Sequence, residues 1–76
     1  MATTVVITRR HNALDPSISV EVFTYGWHVV EVMHIGRYGC IVYDATRYEW
    51  VSDPSEYLTP LCAQLLALET LGVVDV

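Results

Sequence analysis

From Ile18 to Tyr25 apolar and polar residues alternate with a period of two, and the extended runs that follow to Asp44 are interrupted only around Gly26 and around Gly36 and Gly39. That rhythm confines this part of the chain to pleated strands joined by tight turns. Ile18, Val20, Val22 and Thr24 fall on one side of a strand, and Ser19, Glu21, Phe23 and Tyr25 on the other. Tyr25-Gly26 marks a hairpin, because glycine supplies the positive φ that such a turn needs. An extended run then resumes through Val29, Val30, Val32 and Ile35. Gly36-Arg37-Tyr38-Gly39 reads as a second, four-residue turn, followed by a strand of Cys40, Ile41, Val42 and Tyr43.

Residues 3–10, rich in threonine, valine and isoleucine, give an earlier strand, and Asn12, Asp15 and Pro16 supply turn chemistry after it. Residues 46–52 are compatible with strand or loop, since Tyr48 and Trp50 alternate with Arg47 and Glu49. Asp53-Pro54 starts a short turn over 54–58. Thr59 and Pro60 then suit the cap and first position of a helix over 60–71, which Gly72 closes. Residues 73–76 fit a tail or a short edge strand. The expected fold is α+β: a small antiparallel meander of three to five strands packed on one C-terminal α-helix, in a single domain over residues 1–76.

Composition narrows the function. Hydrophobic residues make up 53% of the 76 and charged ones 17%, below the usual charged share of about 25%, which excludes a disordered chain. Four basic residues against nine acidic ones leave a net charge of −5, so direct nucleic-acid binding through phosphate neutralisation is not expected. No apolar stretch approaches the roughly 18 residues of a membrane span. No membrane association is expected, and a cytoplasmic location is the default. Cys40 and Cys62 are too few for a disulfide framework, and are expected to be small buried hydrophobes.

No catalytic or cofactor pattern stands out. His28 and His34, six apart on one strand, lie about 20 Å from each other, too far to share a metal. A thiol nucleophile needs a neighbouring histidine and carboxylate, and sequence spacing alone brings none to either cysteine. A two-residue turn at Tyr25-Gly26 and the four-residue turn set Val22 against Val29 and Met33 against Val42, and bring Glu31 opposite Asp44. The expectation is therefore a non-enzyme without cofactor or metal.

In that register one sheet face holds Ile18, Val20, Val22, Trp27, Val29, Met33, Ile35, Cys40 and Val42, and is the expected seat of the helix. The other holds Phe23, Val30, Val32, Ile41 and Tyr43, bordered by Ser19, Glu21, His28 and His34. A sheet with one helix layer should be polar on its second side, so this apolar second side is expected to be covered by another molecule. On the helix, Leu58, Leu61, Leu65 and Leu68 share one stripe and Ala63, Ala67 and Thr70 the opposite one. An apolar patch of about 400 Å² is worth about 10 kcal/mol on burial, before the costs of association.

The expected function is a small accessory protein that binds protein, as a homodimer and with an unidentified protein partner, of the kind a viral inhibitor of a host nucleic-acid-handling or defence complex represents. The candidate partner-binding residues are Phe23, Val30, Val32, Tyr38, Ile41, Tyr43, Tyr48 and Trp50, chosen for apolar or aromatic area at the second face, at a turn tip and in the open segment. The alternative is a small-ligand-binding oligomer with an aromatic pocket walled by Trp27, Trp50 or Tyr43.

Overall fold

A computed structural model describes residues 4–74. Five strands follow one another in order: β1 (Val6–His11), β2 (Ile18–Tyr25), β3 (His28–Ile35), β4 (Gly39–Asp44) and β5 (Glu49–Trp50). Each pairs antiparallel with its chain neighbour, giving the sheet order β1-β2-β3-β4-β5, and α1 (Pro60–Thr70) lies over β3 and β4. The α+β meander expected from the sequence is this fold. The first strand starts at Val6 rather than Thr3, which lies outside the described residues, as do residues 75–76. Residues 73–74 form a bend rather than a strand.

Two turns set the register, and both differ from the expected ones. Gly26, with φ 62°, occupies the first of two loop positions, where a type II′ hairpin requires a positive φ. The loop is therefore Gly26-Trp27, with Tyr25 opposite His28 and Thr24 opposite Val29. Trp27 leaves the strand and becomes a turn tip. This moves the pairing along the hairpin but keeps the expected faces of β2 and β3.

The second turn has three residues, not four: Ile35 pairs with Gly39 and Met33 with Ile41. Gly39 belongs to the strand because Cys40 and Leu58 exchange two backbone hydrogen bonds of 2.8 Å, drawing the chain before the helix against β4. A Cβ on Gly39 would stand 2.6 Å from the Leu58 carbonyl oxygen, and its φ of 128° suits only glycine. One residue fewer in the loop swaps the faces of β4. Cys40, Val42 and Asp44 join Val30 and Val32, while Ile41 and Tyr43 move to the opposite side. Glu31 and Asp44 consequently lie on opposite faces, since their partners are Tyr43 and Val30.

The helix sits on the face opposite to the expected one. Phe23, Val30, Val32, Cys40 and Val42 are buried with Ala63, Ala67 and Leu71, flanked by Val5, Tyr25, Val51, Leu58, Leu66 and Leu68. The helix is also rotated from the expected orientation: its small alanine stripe meets the sheet, whereas Leu61 (66% exposed) and Leu65 (45%) face solvent. Alanines let helix and sheet approach closely, and an all-round apolar helix carries no moment that would select the leucines instead. Thr59 caps α1 by accepting from the Cys62 amide at 3.3 Å, and Pro60 stands in the first turn, where its missing N–H costs nothing.

Candidate functional site

With α1 on one side, no described element covers the other side of the sheet. It carries Val6, Thr8 and Arg10 of β1, Ile18, Val20, Val22 and Thr24 of β2, Val29, Glu31, Met33 and Ile35 of β3, and Ile41 and Tyr43 of β4. Trp50 of β5 joins them, its ring 4.9 Å from that of Tyr43 in an edge-to-face arrangement. Its charged members are Arg10 and Glu31, 3.9 Å apart, so they offset each other. The other described acidic residues lie on loops, on the helix, on β5 or on the helix side of the sheet. A chain of net charge −5 thus presents one broad surface that is apolar and close to neutral.

The candidate binding residues divide accordingly. Ile41, Tyr43 and Trp50 meet on the open face, while Tyr38 (67% exposed) and Tyr48 (82%) stand on turns. Tyr38 lies against Tyr57, with ring centroids 5.9 Å apart. Phe23, Val30 and Val32, expected on the binding surface, are instead core residues at 0–1% exposure under α1 and out of a partner's reach. Trp27, expected only as the wall of a ligand pocket, stacks on His28 at 5.0 Å while remaining 70% exposed, and the outward pair Leu61 and Leu65 was not among the candidates. Leu61 and Leu65 share the i, i+4 spacing of Ala63 and Ala67, so spacing gave no sign of which pair would face out.

Two polar clusters flank the core on the helix side. At one end, His28 Nε2 lies 2.7 Å from Asp44 Oδ2, and Asp44 Oδ1 accepts from the amides of Thr46 and Arg47. Burial pushes the Asp44 carboxyl up, but the His28 hydrogen bond, the Arg47 amide, the His28 charge and the Thr46 amide together hold it below its ordinary value. The site therefore keeps a buried carboxylate charged, as a turn anchor.

At the other end, Cys40 Sγ lies 3.2 Å from His34 Nδ1, and His34 Nε2 lies 2.5 Å from Glu21 Oε1, which also accepts from Gln64 at 3.3 Å. The order thiol, imidazole, carboxylate, which the sequence spacing did not bring together, follows from the three-residue turn that sets Cys40 opposite His34. It is the linear order of a thiol nucleophile, base and orienting group. Here, however, the thiol is 1% exposed and its own backbone N–H is bonded to Leu58. Burial, then the Glu21 charge, raise its pKa, against a smaller lowering by Arg9. Both burial and the raised pKa favour the protonated thiol, and the three side chains satisfy one another's polar groups in the helix–sheet seam. Cys62, by contrast, is exposed rather than buried.

Among the described residues no three histidine, cysteine or acidic side chains converge to hold a metal, and no helix is long and apolar enough to cross a membrane. A groove of about 240 Å³ lies at the end of β1, lined by Arg10, His11, Asn12, Ile18 and Val20. Trp27, Trp50 and Tyr43, the expected walls of a ligand pocket, do not line it. No family model, curated protein or solved structure matches this chain.

Proposed function

We propose that this protein works by binding other protein chains rather than by catalysis, and that its open sheet face joins two copies in a homodimer. The observation that carries this reading is the combination of apolar area and local neutrality on that face. Two copies of an acidic chain repel each other through most surfaces, but a face whose Arg10 and Glu31 offset each other adds little to that repulsion. Five strands of six, eight, eight, six and two residues, at about 3.3 Å per residue and about 4.8 Å apart, give a face of roughly 480 Å². Two such faces bury about 960 Å², the size of a weak, transient interface, so the dimer is expected at about tens of micromolar. Tyr38 and Tyr48, on turns away from the centre of that face, remain free for an unrelated protein partner, and a dimer that blocks such a partner's surface is the accessory role this arrangement supports.

The test is sedimentation of wild type and Ile41→Asp between about 1 and 100 μM. Ile41 pairs with Met33 on the open face, so the carboxylate would be buried unpaired in the dimer but solvated in the monomer. The expected result is a concentration-dependent dimer for wild type and a folded monomer for the variant, with circular dichroism confirming the fold. A wild type that stays monomeric across the range would falsify the homodimer reading.

A further inference from the structure

The outer edge of the sheet is β1, whose free backbone groups lie outside the open face, although the Arg10 side chain belongs to both. Asn12 N–H donates to the Ile18 carbonyl at 2.9 Å. Antiparallel pairs alternate between bonded and non-bonded positions, so Arg10, Thr8 and Val6 direct their backbone groups inward to Val20, Val22 and Thr24. Ile7, Arg9 and His11 direct theirs outward. All six residues of β1 are exposed, and none is a proline, so the edge is a template for one more strand.

The edge also has a charge sign of its own. Half of the chain's four basic residues, Arg9 and Arg10, stand side by side here on a molecule of net charge −5. Being adjacent on a strand, they point to opposite faces. The carboxylates of this chain nearest to them are already engaged: Glu21 holds His34 and Gln64, and Glu31 reaches Arg10 only at 3.9 Å, leaving that side chain 72% exposed. The groove lined by Arg10, His11, Asn12, Ile18 and Val20 opens at the same end of the strand.

We propose that β1 captures an extended acidic segment of a partner protein as a sixth, antiparallel strand. Two consecutive carboxylate residues lie opposite Arg9 and Arg10, one on each face. β-branched residues follow opposite Thr8, Ile7 and Val6, and the carboxylate residue opposite Arg10 lies on the side of the groove. Backbone hydrogen bonds from Ile7, Arg9 and His11 give the register, and the paired charges give the choice of segment.

The test is a titration of the full chain with a blocked peptide Ser-Glu-Glu-Thr-Val-Val, followed by amide chemical shifts. Saturable shifts centred on Ile7, Arg9 and His11 are expected. Binding should weaken about tenfold for the Gln-Gln peptide and for the double variant Arg9→Gln/Arg10→Gln, whose sites are exposed enough to leave the fold intact. Methylating the peptide nitrogens that face β1 should weaken it about fivefold per bond removed, with both glutamates still present. Absence of binding at millimolar peptide, equal binding of the Gln-Gln peptide, or indifference to N-methylation overturns the proposal. So does an oligothymidylate that shifts the same amides at lower concentration than the peptide, since it would make phosphate the ligand.

Discussion

Single residues carry unusual weight in this small chain. Replacing Gly39 by alanine forces a Cβ toward the Leu58 carbonyl oxygen and a disfavoured φ onto an L residue. The expected loss is about 3 kcal/mol in denaturant unfolding, most of it through the Cys40–Leu58 tie. An alanine variant as stable as wild type would mean that the tie is not needed. Asp44 makes a prediction of opposite character, in pH. Its carboxyl titrates lower in the fold than its ordinary 3.8, so its contribution is fully present above about pH 4 and is lost as pH falls through the lower folded value. Asp44→Asn should therefore cost stability at neutral pH, about 2 kcal/mol, and the gap to wild type should narrow below pH 4. Parallel stability curves down to pH 2 would show that His28 and the turn amides do not hold the charge. Tyr48, at φ 57°, is the one described non-glycine residue in the left-handed region. Tyr48→Gly should raise stability by about 0.5 kcal/mol, since glycine removes the strain but loosens the unfolded chain.

At the scale of elements, the strands and the helix were legible because period, glycine position and the Thr59-Pro60 cap are local signals. The side of the sheet that takes the helix was not. It depends on whether one loop has three residues or four, and that was decided by Leu58, far from the loop in sequence. The helix face was hidden for a related reason: leucines and alanines both qualify as apolar, and only the closeness of packing separates them. The candidate residues divide along the same line. Tyr38, Tyr48 and Trp50, in turns or at the sheet margin, are exposed as expected, whereas Phe23, Val30 and Val32 went to the core with the swapped face. The thiol network was invisible for want of the same register. Its prediction belongs to this scale as well: Cys62 should react with a maleimide within seconds, while Cys40, at 1% exposure with a raised pKa, should react only when α1 leaves the sheet. Equal labelling rates would mean that the helix–sheet seam is open in solution.

The whole molecule is a thin two-layer slab. Its radius of gyration is 12.1 Å, somewhat above the roughly 11.4 Å of a compact chain of this length, and its core is three valines, two alanines, Phe23, Cys40 and Leu71. So little interior leaves apolar area on both broad sides, the open sheet and the Leu61–Leu65 stripe, and this physical surplus survives even though the face identified from sequence was the wrong one.

The strict neighbour-to-neighbour order of the strands has a temporal consequence. As a nascent chain emerges, each strand can zip onto its predecessor at once, with no gap to wait across. Phe23, Val30 and Val32 nevertheless stay wet until the last element arrives to roof them. A lesion in α1 should thus show itself as a hairpin array that forms on time and then clumps, rather than as one that fails to form.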